Sequence, residues 1–367
     1  MIECVAFTGG GTGGHVFPGL AVAERLRELR DVRIVWIGSG RAVEREAVEA
    51  AGIEFRAVPS GKLRRSLSPR NVADVFRVAA GYIASRRILR ELRPGLLFSK
   101  GGYVSVPPCM AAASLGIPVF THESDVSPGL ATRLNARRAE RILLSWDATV
   151  PLLPPSWRDR AVVTGNPVRA GITAGDRARG HRWLGFEPGL PVVLVLGGSQ
   201  GARQVNELVA AALPSLRGRA LVAHQTGPGN PPCRPADDGY RGFEFVASEM
   251  PDLMAAADIV VGRAGAGTVC ESAATGKPMV LVPLIAGSRG DQVENASLLS
   301  EAGGAIHLAG DLASPAGLLA ALDRLLSSDE LRAGMAVAAR AALKPDAALR
   351  IAEMICTRLD GGERKNT

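Results

Sequence analysis

The chain has 367 residues, enough for two domains of ordinary size, and its 47% apolar and 22% charged content excludes wholesale disorder. Five scattered cysteines with no C-x-x-C pair exclude a zinc ribbon and a disulfide framework, and fit a reducing cytoplasm. The net charge is +7, no leader-like stretch precedes the first strand, and Val104–Phe120, the longest apolar candidate, is broken by Pro107, Pro108 and Pro118, so a soluble or at most peripheral protein is expected.

Ile2–Phe7 reads as a buried strand. Thr8-Gly-Gly-Gly-Thr-Gly-Gly-His15 then turns the chain into a helix carrying Leu20, Ala21 and Ala23. Glycines let a ligand approach the backbone, and a new helix N-terminus offers N–H groups and partial positive charge, so this loop suits a phosphate or diphosphate. His15 stands at its lip, where a neutral imidazole accepts a proton near pH 7; a histidine that merely caps the loop is the plainer reading. Gly9-x-Gly11-x-x-Gly14 also fits the dinucleotide fingerprint. That fingerprint expects an acid after the second strand, and Val32–Ile37 runs instead into Gly38-Ser39-Gly40-Arg41. An NADP-binding oxidoreductase held through Arg41 stays open as an alternative.

Further strands are expected at Leu96–Ser99, Pro118–His122, Arg141–Ser145 and Ala161–Thr164. Helices fall around Leu20–Leu29, Val43–Ala51, Val72–Leu92 and Pro108–Leu115. This alternation predicts a parallel sheet covered on both faces, with ligands at the carboxyl ends of its strands. The tips there are Thr8–His15, Lys100-Gly-Gly-Tyr103, His122-Glu-Ser-Asp125 and Gly165-Asn-Pro-Val-Arg169. Between Ser60 and Pro94 nine Lys or Arg stand against Asp74 and Glu91, as large an excess as the whole chain's +7. Phe76 and Tyr82 are too few aromatics for stacking bases, which leaves an anionic membrane as the better partner than nucleic acid. Val72, Val75, Phe76, Ala79 and Ile83 recur at helical spacing beside Arg64, Arg65, Arg70, Arg77, Arg86 and Arg87. That strip either faces a membrane or packs on the domain's own sheet, and Leu63 and Leu67 offer a third, apolar tip.

Gly165–Gly180 reads as a linker. The pattern then restarts with strand Val192–Leu196, glycine loop Gly197–Gly201 and helix Ala202–Leu213. Strands Leu221–His224, Phe243–Val246, Ile259–Gly262, Met279–Val282 and Ala305–Leu308 follow. Amphipathic helices Pro315–Leu326, Leu331–Leu343 and Asp346–Leu359 close the chain. Two Rossmann-like halves, each with a phosphate-sized loop, point to a ligand cleft between domains.

Gly9–Ala23, Gly101-Gly-Tyr-Val104, Gly165-Asn-Pro-Val-Arg169, Gly197-Gly-Ser-Gln-Gly-Ala202 and Ala257-Asp258 with Arg263…Thr268-Val269-x-Glu271 stand in the order and spacing of one family. Over about the first 300 residues the chain resembles the MurG glycosyltransferases. The resemblance implies an α/β GT-B fold, two Rossmann-like domains with parallel sheets facing a deep cleft. Its parts would be an acceptor and membrane-side domain at 1–165, a UDP-sugar domain at 166–345, and a C-terminal helix and tail at 346–367. It implies inverting transfer of N-acetylglucosamine from UDP-N-acetylglucosamine to the 4-hydroxyl of undecaprenyl-pyrophosphoryl-MurNAc-pentapeptide, lipid I to lipid II. That reaction serves peptidoglycan synthesis, and with it cell shape and division, on the cytoplasmic face of the inner membrane. A non-hydrolysing epimerase on the same frame is the other UDP-sugar reading.

His15 is then the expected base. The donor would be met by Thr12, Gly13, Gly14, Asp125, Arg169, Ser199, Val246, Ala266, Gly267, Thr268, Val269, Cys270, Glu271, Gln292 and Asn295. In this set Glu271 would clamp the ribose, and the Val246 backbone would read uracil. The acceptor would be met by Gly10, Gly11 and Tyr103, although Tyr103 also reads as a packing residue. No metal or cofactor is implied. The chain departs from the family at Asp291, where a glutamine is usual, and at Asp125, where the family has asparagine; both carboxylates only accept hydrogen bonds.

Overall fold

The alternating apolar runs form two parallel sheets in a computed structural model that describes residues 3–11, 13–61, 69–198, 200–237, 239–285 and 290–363. In the first sheet β1 (Glu3–Thr8), β2 (Val32–Gly38), β3 (Glu54–Ala57), β4 (Leu96–Ser99), β5 (Val119–Glu123), β6 (Arg141–Leu144) and β7 (Ala161–Val163) lie in the order β3-β2-β1-β4-β5-β6-β7. The register sets Phe7 beside Trp36 and Phe98, and the three rings pack at centroid distances of 6.1 and 5.2 Å. All three are fully buried, each worth roughly 1.5–3 kcal/mol of transfer free energy.

The sequence reading misses β3. It is a four-residue edge strand whose Glu54 pairs with Arg33 at 2.7 Å and with Arg56 at 2.6 Å. Charged side chains suit a sheet edge but hide the strand from an apolar-run search. The first helix is also longer than expected. It spans Gly13–Leu29, so His15 belongs to its first turn rather than to the loop before it.

The second sheet holds β8 (Val192–Leu196), β9 (Leu221–Gln225), β10 (Tyr240–Phe243), β11 (Ile259–Gly262), β12 (Met279–Leu281) and β13 (Ala305–His307) in the order β10-β9-β8-β11-β12-β13. β10 sits earlier than the expected Phe243–Val246. The expected linker ends in a helix, Arg177–Leu184, capped by the Asp176 carboxylate on the Arg179 N–H. Ion pairs Arg177–Asp258 and Arg179–Asp252, both at 2.9 Å, tie that helix to its neighbours.

The chain divides into two units, residues 1–170 with 344–367, and residues 171–343. The last helix, Ala347–Glu363, therefore belongs with the first unit. Its Ile351, Ala352, Ile355 and Leu359 are buried in the same core as Val22 and Leu26 of helix Gly13–Leu29. No helix among the described residues is long and apolar enough to cross a membrane.

Helix Pro69–Leu92 settles which way its apolar strip faces. Tyr82, Ile88 and Leu89 join the first unit's core, while Val75, Phe76 and Ile83 are 55, 71 and 69% exposed. Of the readings left open, packing of the strip on the domain's own sheet is thus excluded for Val75, Phe76 and Ile83. The inward arc is already filled by the packing of this helix on helix Val106–Ser114. Lys62, Leu63, Arg64, Arg65 and Leu67, and the side chains of Arg70 and Val72, lie outside the described residues.

Candidate active site

In the first unit, β1 delivers the glycine loop to the carboxyl edge of the sheet, where the loops after β4, β5 and β7 also emerge. Thr8 anchors the loop's start through its hydroxyl on Ile37 O at 2.8 Å, and Trp36 Nε1 donates to Gly9 O at 3.2 Å. Gly11 has φ +92, and a Cβ there would stand 2.7 Å from Tyr103 Cε1, so the tyrosine ring lies directly against the loop. Gly102 has φ +77, and its Cβ would meet Gly10 O at 2.5 Å and His15 Cδ2 at 3.0 Å. Glycine at both positions therefore lets the first glycine loop, Gly102–Tyr103 and the His15 ring close on one another. Thr12 lies outside the described residues. Gly13 and His15 are half-buried, and Gly14 is exposed, at the N-terminus of helix Gly13–Leu29.

Two buried charged residues that the sequence reading missed support this loop. Glu44 sits beneath Gly10, where a Cβ would meet its Oε1 at 2.4 Å. It accepts from the Ser39 N–H and hydroxyl. Burial raises its pKa, and the Ser39 hydrogen bonds oppose that rise. Arg41 donates to Gly11 O at 3.1 Å, which turns the residue the NADP reading needed onto the loop itself. Lys100, 1% exposed, sends its ammonium to His122 Nδ1 at 3.0 Å, to Asn166 Oδ1 at 3.1 Å and to Ser124 Oγ. His122 Nε2–H donates to Gly165 O at 2.9 Å. Nothing in the sequence marks Lys100 or Glu44 beyond position, because each acquires its role through contacts tens of residues away or through burial.

Glu123 shapes the next loop. Its carboxylate accepts the N–H groups of Ser124 at 2.8 Å, Asp125 at 3.1 Å and Gly129 at 2.8 Å. Asp125 is half-buried on that loop. Arg169, after β7, places its guanidinium 4.2 Å over the Phe17 ring. Both residues line a cavity of about 500 Å³ with Leu20, Glu24, Arg27 and Ile53.

In the second unit, β8 leads into the loop Gly197–Gly201 and helix Arg203–Leu216. Ser199 lies outside the described residues. β11 leads through Arg263 and Gly265 into helix Ala266–Ala274. This helix divides the expected donor contacts by face. Gly267, Thr268 and Glu271 are half-exposed, while Ala266, Val269 and Cys270 are buried and meet any ligand only through backbone. Arg263 donates to Gln204 Oε1 at 2.9 Å and Val282 O at 3.0 Å, and burial lowers its pKa. Asn295 is fully buried, with Nδ2 on Ala264 O at 3.0 Å, so it braces the turn before the helix. Gln292 Oε1 accepts the Leu284 N–H at 2.9 Å, and Asp291 opens the same helix, Asp291–Glu301. The Val246 N–H donates to Gln225 Oε1 at 3.3 Å. Among the described residues no group of three or more His, Cys, Asp or Glu is placed to hold a metal ion.

Two parallel-sheet units, each presenting a glycine loop and a helix N-terminus, define a GT-B-like glycosyltransferase. Residues 5–144 match the glycosyltransferase family 28 N-terminal domain, and residues 192–351 match the family 28 C-terminal domain. A Treponema denticola protein named UDP-N-acetylglucosamine--N-acetylmuramyl-(pentapeptide) pyrophosphoryl-undecaprenol N-acetylglucosamine transferase is 48% identical over 86% of each chain. The crystal structure of Acinetobacter baumannii MurG superposes with TM-score 0.72 and 27% identity, covering 97% of this chain and 99% of that one. A putative UDP-N-acetylglucosamine 2-epimerase from Listeria monocytogenes, 13% identical with TM-score 0.73, covers 98% of both chains and shares the fold alone. The chain belongs to the MurG family.

Proposed function

We propose that the chain transfers N-acetylglucosamine from UDP-N-acetylglucosamine to the 4-hydroxyl of a lipid-linked N-acetylmuramyl-pentapeptide, converting lipid I to lipid II in peptidoglycan synthesis. The observation that carries this reading is the half-exposed His15 imidazole on the first turn of helix Gly13–Leu29, flanked by the Gly101–Gly102 backbone. An inverting displacement needs a base for the acceptor hydroxyl and positive potential for the departing UDP. His15 takes the hydroxyl proton as the new bond to the sugar C1 forms and the bond from C1 to the UDP oxygen breaks.

The first unit holds the acceptor through Gly10, Gly11 and Tyr103. The second holds the nucleotide, with the N-terminus of helix Ala266–Ala274 toward phosphate and the Glu271 carboxylate accepting from the ribose hydroxyls. Asn295 acts by fixing the turn at Ala264 rather than by touching sugar. Val246, steadied by Gln225, supplies backbone for the uracil edge.

The enzyme works at the cytoplasmic face of the inner membrane. Support comes from helix Pro69–Leu92, which turns Val75, Phe76 and Ile83 outward with Arg87 and Arg90 exposed on the same side. An apolar strip rimmed by arginines fits the headgroup region of an anionic leaflet, where each basic residue is worth about 1 kcal/mol.

The direct test is transfer of radiolabelled sugar from UDP-N-acetylglucosamine to a short-chain lipid I analogue. Label should move into the lipid-linked product. Conversion of the UDP-sugar without acceptor, and no labelled disaccharide, would overturn the reading.

A further inference from the structure

Lys100 is a lysine that the reaction outlined above does not use, yet its ammonium is sunk beneath the catalytic loop. An ammonium has three N–H donors and no acceptor. His122 Nδ1, Ser124 Oγ and Asn166 Oδ1 are three acceptors within its reach, drawn from β5, the loop after it and the loop after β7. Because Nδ1 of His122 accepts, Nε2 carries the proton, in agreement with its donation to Gly165 O. The Lys100 stem is wedged under the glycine loop: a Cβ on Gly9 would lie 3.1 Å from Lys100 Cβ, and the Lys100 N–H donates to Thr8 O at 2.8 Å. One residue on, the Cβ site of Gly101 lies 3.3 Å from His122 O and 3.9 Å from His15 Nδ1. The His15 imidazole and the His122 backbone therefore both adjoin Gly101, the residue that follows Lys100.

We propose that Lys100 is a positioning residue for the transfer: its buried ammonium holds His122 as the Nε2–H tautomer and keeps the His15 imidazole above it unprotonated, ready to accept the acceptor's proton. Other charged or titratable groups lie on the elements around His15. Arg41 lies on Gly11 O, and Arg169 over Phe17 two residues along the helix. Tyr103 packs on Gly11, and Glu44 lies under Gly10. Glu123 and Asp125 follow His122 on β5 and its loop, and the Glu123 carboxylate is taken up by three backbone N–H groups. Burial, then the charge of Lys100, holds His122 well below the usual histidine range, against the Gly165 hydrogen bond, which raises it. A cation beside an imidazole disfavours the imidazolium. Without Lys100, His15 would hold its proton to higher pH and be a poorer base near neutrality.

This inference rests on His15 being the base, but its test does not require transfer. The chain has five histidines, and the His15 ring signal is identified by its loss in His15→Gln. In an NMR titration of the intact protein, the wild-type His15 midpoint should lie below the ordinary value of about 6.5, and Lys100→Met should raise it by about one pH unit. The acid limb of kcat/KM for the lipid I analogue should move up by the same amount in Lys100→Met, a change that general loosening of the loop would not produce. A wild-type midpoint at or above the ordinary value would overturn the proposal with no variant needed, even if Lys100→Met does not fold. So would an unchanged midpoint in the folded variant. A lowered midpoint that rises in Lys100→Met, in a protein with no transferase activity, would show the Lys100–His15 link intact and sink the functional reading, and with it the role of Lys100 in transfer.

Discussion

Two side chains carry separable parts of the proposed chemistry. Replacing His15 with alanine removes the base and leaves the second unit untouched, so turnover should fall by about a hundredfold or more. UDP affinity should stay as it was; near-normal turnover in the transfer assay would take His15 out of the mechanism. Glu271 lies half-exposed on the face of helix Ala266–Ala274 that also carries Gly267 and Thr268. Glu271→Ala should weaken UDP and UDP-N-acetylglucosamine alike, by roughly 1.5–3 kcal/mol for a lost hydrogen bond to a charged group. Unchanged UDP affinity in titration calorimetry would take Glu271 out of the nucleotide site. His15 was legible in the sequence because a glycine-rich turn into a helix advertises itself locally, and Glu271 through the motif that carries the family resemblance. Lys100 and Glu44 were not. A lysine or glutamate on paper reads as surface, and only the folded sheet shows that Asn166, sixty-six residues away, accepts from Lys100.

At the scale of elements, helix Pro69–Leu92 joins sequence pattern to location. Its spacing gave an apolar strip, but period alone does not say which arc faces inward. The arc of Tyr82, Ser85, Ile88 and Leu89 packs inward, and the arc through Val75, Phe76, Ala79 and Ile83 faces out. Ser85 is buried within the inward arc, which is why hydrophobicity did not separate the two. The same limit hid β3 and helix Arg177–Leu184, which are held in part by ion pairs rather than by an apolar stripe. Phe76→Ser with Ile83→Ser should lower sedimentation with anionic vesicles, and Arg87→Glu with Arg90→Glu should lower it further, while neither pair alters transfer to a short-chain soluble acceptor. These residues are exposed, so the substitutions fill no core position and leave no cavity. Equal binding of wild type and both variants to the vesicles would remove this face as the docking surface.

Over the whole molecule, each unit buries a histidine beside its sheet, and the pair makes stability depend on pH. His122 is buried in the first unit. His224, on β9 of the second, donates Nε2–H to Asn206 Oδ1 at 3.0 Å, with Tyr240 Oη 3.3 Å from its Nδ1. Burial lowers the His224 pKa to about 4, and His122 is lowered further by the charge of Lys100. An unfolded histidine takes up its proton near pH 6.5. Between that value and about 4 the unfolded chain therefore binds more protons than the folded one, and stability falls as pH falls. The stabilisation is fully present above about pH 6.5, and for His224 its loss by pH 4 amounts to roughly 3 kcal/mol. Asp252 acts in a lower window, because Arg179 holds its pKa at about 2 and it loses its share only below the ordinary carboxylate range. Urea midpoints should accordingly drop between pH 7 and pH 4.5, before most carboxylates are protonated. His224→Gln, which has no proton to gain, should lower the midpoint at pH 7 yet flatten its dependence on pH. A wild-type midpoint that does not move between the two pH values would mean that these imidazoles are hydrated enough to ionise in place.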